Sequence, residues 1–281
     1  MLTVNSLSGG KTSSYMAVHF PADVEIFSLV CIEDLNCKPK DKGLVQRVND
    51  KLQKHSPNKD EFIATAEDDK TMVVMLELEQ MIGREIVWVR GKSFEKVIDS
   101  KGMLPNMGMR YCTTELKIMP IAEYVYRNLA YPLFMNQGIR YDEMERMKTG
   151  FEGRKYTHKF INGKSSGGRN TWEHDVWWAV ANYPLIYNKV NHPRVRSFWE
   201  NKGIQFPEDS NCVGCFWKDV QQLRKNWDVQ TNKMQWFSNQ EVRRNHFFKP
   251  NIDYKQIKTL GLQMEFNFGT GASCQAGFCT D

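Results

Sequence analysis

The sequence predicts an α/β fold: a mostly parallel, twisted sheet with helices on both faces, followed by a mainly helical and loop-rich C-terminal subdomain. Strand-like and helix-like segments alternate through the first half of the chain, which is the order that produces a parallel sheet. A glycine-rich turn joins the first predicted strand to the first predicted helix. From Trp172 onward, the pattern indicates helices and loops with little strand.

The individual elements follow from the spacing of apolar residues. Predicted strands cover residues 2–7, 25–32, 61–64, 85–89 and 133–136, and predicted helices cover 12–19, 42–55 and 70–82. Residues 160–170 are rich in glycine and serine, a composition typical of a linker or mobile loop. We therefore expect a nucleotide-binding domain over residues 1–158 and a helical, cysteine-containing subdomain, packed on it, over residues 171–281.

Net positive charge and aromatic residues are concentrated in the second half of the chain. The net charge is +5 over 281 residues, and residues 151–281 hold 18 basic against 12 acidic side chains and seven of the eight tryptophans. Such a surface suits phosphates and stacked bases, so nucleic acid is one expected partner, although a solvated basic face over an aromatic core is the simpler explanation of the composition alone. No apolar run could cross a bilayer and no signal peptide is visible, so we expect a cytoplasmic protein without a membrane partner.

The glycine-rich turn has the chemistry of a phosphate-binding loop. It reads Ser-Gly-Gly-Lys-Thr-Ser over residues 8–13. Glycines allow backbone amides to approach an anion, a helix N-terminus adds further amides, and the hydroxyl groups and lysine add donors. A Walker A loop would need glycine at Asn5, so this is a different loop. The turn resembles the signature of the PP-loop ATP pyrophosphatases.

Three later segments narrow the resemblance to the phosphoadenosine-phosphosulfate (PAPS) reductase family. Residues 110–120 (RYCTTELKIMP) resemble the family's Arg-x-Cys-Thr-x-x-Leu-Lys-x-x-Pro segment, and residues 138–146 (GIRYDEMER) resemble its Gly-x-Arg-x-x-Glu-Ser-x-x-Arg motif. Met144 replaces the usual serine, and Arg146 comes one residue early. Residues 183–186 (YPLI), a following helix and a Cys-x-x-Cys pair complete the likeness over roughly residues 3–218.

The resemblance implies an adenine nucleotide alpha hydrolase-like fold and assigns roles to individual residues. ATP or an adenylyl nucleotide is the expected ligand, with Mg²⁺ if ATP is cleaved. Residues near the end of the second strand, from Cys31 to Asp34, are expected at the adenine or ribose. The nucleotide-binding residues are expected to be Ser8, Gly9, Gly10, Lys11, Thr12, Ser13, Asp34, Gly138 and Arg140. The catalytic candidates are Lys11, Lys117, Arg140, Arg146 and Cys279.

Seven cysteines in a chain without an export signal indicate thiols or metal ligands rather than disulfides. The Cys-x-x-Cys turn can hold two thiolates at the spacing of one metal or cluster. The expected ligands are Cys112, Cys212, Cys215 and Cys274, holding a four-iron cluster or, as an alternative, zinc. A third interpretation makes the tail cysteines redox-active, since family members without a cluster carry a catalytic cysteine near the C-terminus.

Three functions remain open from the sequence. The first is ATP- or adenylyl-nucleotide-dependent sulfur transfer or adenylation of a nucleic-acid or small-molecule acceptor. The second is a sulfonucleotide reductase that takes electrons from a thiol reductant protein. The third is a non-catalytic accessory protein that binds nucleotide or nucleic acid.

Overall fold

The computed structural model describes residues 1–147, 153–208 and 210–262. Its main sheet has six strands in the order β5-β2-β1-β6-β8-β7, and every neighbouring pair is parallel except the outer pair β7–β8. The predicted α/β class is therefore confirmed. The strands of this sheet are β1 (Thr3–Leu7), β2 (Val24–Ser28), β5 (Ile86–Val89), β6 (Leu133–Asn136), β7 (Lys155–Lys164) and β8 (Asn170–Asn182). A separate antiparallel pair joins β3 (Cys31–Ile32) to β4 (Ala64–Thr65).

Helices account for most of the remaining described chain. They are α1 (Lys11–His19), α2 (Lys42–His55), α3 (Asp69–Ile82), α4 (Phe94–Lys101), α5 (Tyr111–Thr113), α6 (Met119–Asn128), α7 (Pro184–Tyr187), α8 (His192–Trp199), α9 (Val220–Val229), α10 (Thr231–Arg244) and α11 (Tyr254–Thr259). A π-helix over Thr114–Ile118 joins α5 to α6, and short 3₁₀ helices cover Leu35–Cys37 and Tyr141–Arg146. None of the described helices combines the length and the apolar character that crossing a membrane requires.

Local sequence explains where the helices begin and end. The Asp41 carboxylate accepts hydrogen bonds from the amides of Gly43 and Leu44 at the start of α2. Asp68 caps α3 in the same way, and α3 ends at Gly83, which has the positive φ that terminates many helices.

Alternating side chains of the strands place core on both faces of the sheet. Phe27 and Trp88 face a cluster that includes side chains of α1, α2, α3 and α8. Ile26 and Val87 face the opposite cluster, which includes side chains of α6. A third cluster joins α4 to α9, α10 and α11. Strand side chains alternate between the two faces of the sheet, so both faces carry a core. Helices pack on both faces, as the sequence predicted.

Two sequence-based expectations were wrong. Residues 160–170 are not a linker, because they belong to a hairpin of β7, a short turn and β8. Only the turn from Ser165 to Arg169 has the conformation that glycine and serine suggest. The alternating pattern of β8 was hidden by register shifts and by Asp175, whose φ is 55°. Residues on both sides of the expected boundary therefore belong to one sheet.

The second correction concerns the second strand. The predicted strand over 25–32 divides after Ser28, where the chain leaves the main sheet, and Cys31 and Ile32 pair instead with β4. The run from Ile26 to Ile32 is apolar except for Ser28 and gave no signal of this change of partner, because both parts are buried.

Candidate active site

A cleft of about 440 Å³ lies where the strand order reverses. The chain moves outward from β1 through β2 to β5, and then returns to β6 on the other side of β1. In open α/β sheets, ligands bind at such a switch point, beyond the carboxyl ends of the strands. The cleft is lined by Ser6, Leu7, Ser8, Ser13, Ser28, Arg110, Thr113, Thr114, Lys117, Ile118, Ile121, Met135, Gln137, Gly138, Ile139, Arg146, Arg154, Tyr156, Trp178 and Tyr183.

The glycine-rich turn contributes two hydroxyl groups to this cleft. Ser8 and Ser13 line it, and their hydroxyl oxygens lie 3.1 Å apart. The glycines serve close packing instead: Gly9 has φ +76°, and a Cβ on it would overlap the Cγ2 atom of Thr71. A Cβ on Gly10 would lie 2.8 Å from the hydroxyl oxygen of Ser210. The turn is therefore held in place by α3 and by the segment that precedes the Cys-x-x-Cys pair.

Lys11 and Thr12 lie away from the cleft lining. Lys11 is exposed, and its carbonyl oxygen accepts a hydrogen bond from the indole of Trp199 (2.9 Å). Thr12 is buried, and its hydroxyl accepts a hydrogen bond from Nη1 of Arg140 (2.7 Å). Of the six turn residues expected to hold phosphate, the structure brings Ser8 and Ser13 to the cleft.

The two arginines of the 138–146 motif have different surroundings. The side chain of Arg140 is 1% exposed, does not line the cleft, and pairs with Glu143 at 3.3 Å. Arg146 lines the cleft and pairs with the same carboxylate at 2.9 Å. Burial raises the pKa of Glu143, and the two guanidinium groups oppose that shift. Arg140 thus ties the turn at Thr12 to the loop after β6, while Arg146 faces the cleft.

Lys117 reaches the cleft from the π-helix. Its Nζ atom lies 3.1 Å from a carboxylate oxygen of Glu67, which is fully buried behind it. π-Helical turns are frequent at functional sites because they redirect side chains. Thr114 and Ile118 of the same turn also line the cleft.

Several residues of the cleft were not identified from the sequence. Arg154 directly precedes β7, Tyr156 lies on β7, and Trp178 lies on β8. The guanidinium group of Arg154 lies 5.4 Å from the ring centre of Tyr156. Arg110 also lines the cleft, but the sequence had already indicated it, with Lys117, as a residue of the 110–120 motif that could bind phosphate or sulfate. Only a correct strand prediction for residues 155–182 would have placed Arg154, Tyr156 and Trp178 beside β6.

The cleft therefore has a basic wall, by which we mean the four residues Arg110, Lys117, Arg146 and Arg154. Among the described residues that line it, none is acidic. Two buried carboxylates that do not line the cleft, Glu67 and Glu143, pair with Lys117 and Arg146. This arrangement favours an anionic ligand, because charge-assisted hydrogen bonds from arginine and lysine suit phosphate and sulfate oxygens.

Asp34 takes a structural role away from the cleft. Its carboxylate accepts a hydrogen bond from the amide of Asn36 (2.8 Å) and so caps the 3₁₀ helix that follows. Ser28, at the end of β2, lines the cleft instead. The difference follows from the division of the second predicted strand. Gly138 does line the cleft, close to Ser13.

The Cys-x-x-Cys turn docks beside β4. Cys212 forms an isolated antiparallel bridge with Glu67, and a Cβ on Gly214 would overlap the ring of Phe237. The side-chain amide of Asn226 donates to the carbonyl oxygen of Val213 (2.7 Å). The turn is thus fixed by neighbouring helices.

Cys112 and Cys215 lie in the electrostatic neighbourhood of Cys212. Burial raises the pKa of the Cys212 thiol well above its usual value, Glu67 and the two cysteines raise it further, and Lys117 lowers it. In residues 1–147, 153–208 and 210–262, no group of three or more His, Cys, Asp or Glu side chains is placed to hold a metal ion. Cys274 and Cys279 lie outside the described residues. The described residues alone do not complete the predicted cluster or zinc site, which stays a prediction.

The fold and the site define an α/β protein with a basic cleft at the switch point of its sheet. The chain has no significant match among models of protein families, curated proteins or solved structures. The resemblance to the PAPS reductase family therefore rests on the sequence motifs.

Proposed function

We propose that the protein is a PAPS-reductase-like enzyme of the PP-loop type that binds ATP or an adenylyl nucleotide in the cleft. The observation that carries this proposal is the basic wall at the switch point, in a cleft that two hydroxyl groups of the glycine-rich turn also line. Four cationic side chains line a cavity of about 440 Å³, and a neutral ligand would not balance their charge. A nucleotide supplies both negative charge and a flat base.

The lining residues suggest a division of labour. Lys117 and Arg146 stabilise phosphate or sulfate oxygens, each oriented by a buried carboxylate. Such preorganised cations stabilise negative charge that develops on a leaving group. Tyr156, which is half-buried, offers aromatic surface to the base, and the buried ring of Trp178 supports it at 5.6 Å between ring centres.

The reaction we propose is sulfur transfer or adenylation of a small-molecule or nucleic-acid acceptor. In adenylation, an acceptor oxygen attacks the α-phosphorus of ATP and pyrophosphate leaves. A sulfur nucleophile then displaces AMP. Mg²⁺, if ATP is cleaved, supplies charge neutralisation at the phosphates. The basic wall would hold the departing pyrophosphate.

One observation favours the sulfonucleotide reductase as a second candidate. Cys112 lies in sequence between Arg110 and Thr113, which both line the cleft, and Lys117 influences the pKa of the Cys212 thiol. Thiols therefore lie close to the basic wall. Cys279, the catalytic cysteine this function would use with a thiol reductant protein, lies outside the described residues.

Product analysis distinguishes these functions. The full chain is titrated calorimetrically with ATP, adenosine phosphosulfate and PAPS, and each mixture is then analysed for pyrophosphate, AMP and sulfite. Pyrophosphate from ATP, dependent on an added acceptor, supports adenylation, and sulfite with a dithiol reductant supports the reductase. Failure to bind any of the three nucleotides would refute both.

A further inference from the structure

The outer hairpin extends well beyond the sheet to which it belongs. β6 pairs with β8 only over Ala179–Asn182, while β8 begins at Asn170. Before Ala179, β8 pairs with β7 in the part of the chain that the structure describes. Every residue from 161 to 175 is exposed. We call residues 155–177 the arm.

The arm combines basic and aromatic side chains in pairs. The ammonium group of Lys155 lies 4.7 Å from the ring centre of Trp177, and that of Lys159 lies 5.2 Å from the ring centre of Trp172. Trp177 is 39% exposed and Trp172 is 45% exposed. Lys164 and Arg169 add positive charge near the tip.

The acidic residues of the arm do not cancel this charge. The arm holds four Lys and Arg side chains and two acidic ones, Glu173 and Asp175. The carboxylate of Glu173 is engaged by the hydroxyl of Tyr126 on α6 (2.7 Å). The arm therefore carries net positive charge, which is complementary to a phosphate backbone.

Protection of an edge strand does not account for these features. Lysines on an exposed edge discourage pairing with other chains, which would explain Lys155, Lys159 and Lys164 on β7. Exposed tryptophans on the adjoining strand have the opposite effect, because large exposed apolar groups mark interaction sites. A two-stranded ribbon is also only marginally stable by itself, so a long exposed ribbon suits a surface that is covered by a partner.

We propose that the arm binds single-stranded nucleic acid, with bases stacked on Trp172 and Trp177 and phosphates held by Lys155, Lys159, Lys164 and Arg169. Lysine with stacked aromatic side chains is the usual chemistry of sequence-tolerant single-strand binding. Bases in a duplex are already stacked and would not reach the two rings. This inference goes beyond the proposed function and does not depend on it.

The test is a fluorescence anisotropy titration of the full chain with a labelled oligothymidylate of about 20 nucleotides, a length that exceeds the usual single-strand site, at several salt concentrations. The double variant Trp172→Ala/Trp177→Ala should bind at least about tenfold more weakly, since each stacked base contributes substantially. The variant Lys155→Ala/Lys159→Ala should lower the slope of log K against log salt by roughly 1.4, at about 0.7 for each phosphate that is no longer neutralised.

Lys258→Ala is the matched control. Lys258 also lies over a tryptophan, 4.8 Å from the ring centre of Trp227, but that ring is buried and donates its indole hydrogen to the carbonyl oxygen of Tyr254. The affinity of Lys258→Ala for the oligonucleotide should stay within about twofold of that of the parent chain, because a buried ring cannot stack on a base. Circular dichroism of each variant checks that the fold is retained.

Three results would overturn the proposal. They are the absence of oligonucleotide binding at low salt, equal binding by the tryptophan variant and the parent chain, and tighter binding to a duplex or to anionic phospholipid vesicles than to the single strand. Calorimetry with ATP and adenosine phosphosulfate on the tryptophan variant keeps the two proposals separate. Nucleotide binding should be unchanged there, so that failure of the arm and failure of the cleft are seen independently.

Discussion

The glycine-rich turn and the basic wall both contribute to the lining of the cleft, yet their residues are used very differently. In the turn, Gly9 and Thr12 are committed to the protein itself, packed against Thr71 and hydrogen-bonded to Arg140. In the wall, Arg146 and its neighbours point to the cleft. We call Gly9, Thr12 and Arg140, which hold the turn in place, the frame of the site. The comparison shows that residues of a recognisable loop can serve mainly to hold a site together, while charged side chains from other segments line the cleft.

Replacing Arg140 with alanine should have the largest effect. The substitution removes the buried guanidinium group that pairs with the buried Glu143 carboxylate. It also removes the hydrogen bond from Arg140 to the Thr12 hydroxyl. Loss of one partner of a buried ion pair typically costs about 3–5 kcal/mol. Urea unfolding should show a loss of this size.

Arg146→Ala serves as the control for that experiment, since it removes the other cation from the same carboxylate. Its side chain is 23% exposed, so we expect a loss of about 1 kcal/mol or less. If both variants lost equal stability, the distinction between frame and wall would fail.

Gly9→Ala should be the next largest disruption of the frame. Alanine at φ +76° is strained, and its Cβ would overlap Thr71. We expect a loss of about 1–3 kcal/mol in free energy of unfolding. The double variant with Thr71→Ser, which removes the overlapping methyl group, should recover part of that loss but not the backbone strain. No recovery would show that packing against α3 is unimportant.

The contrast between frame and wall also shows what the sequence could predict. β6 and α2 were predicted with their observed bounds, because α2 has apolar residues at helical spacing and β6 is a short apolar run. The turn was located correctly, since a strand, glycines and a helix start are local features. The wall was predicted only in part. Arg110, Lys117 and Arg146 lie in motifs, whereas Arg154 reaches the cleft beside a hairpin whose irregular register concealed its strands.

Glu67 should act as a positioning residue for the wall. Glu67→Gln removes the charge that holds Lys117 at 3.1 Å, so nucleotide affinity should fall by about threefold, or about 0.7 kcal/mol. In a Lys117→Ala background, the same substitution should have no further effect on affinity measured by calorimetry. Additive losses would mean that Glu67 acts on the cleft by another route.

The pH dependence of stability gives the smallest expected effect. Burial raises the pKa of Glu143 above its usual value of 4.5, so the folded protein binds that proton more tightly than the unfolded chain does. The contribution to stability is present below pH 4.5 and is lost as the pH rises through the folded-state pKa. Glu143→Gln should remove this part of the pH slope in urea unfolding. An unchanged slope would assign it to other groups.

The most direct test of the central claim is a calorimetric titration of three chains with ATP and adenosine phosphosulfate: the parent, Lys117→Ala/Arg146→Ala, and Lys11→Ala. Hydrogen bonds to charged groups contribute about 1.5–3 kcal/mol each. The double variant should therefore bind about 100-fold or more weakly, while Lys11→Ala, outside the cleft lining, should remain within about twofold of the parent. Full affinity in the double variant, with a large loss in Lys11→Ala, would contradict the account and place the ligand on the turn.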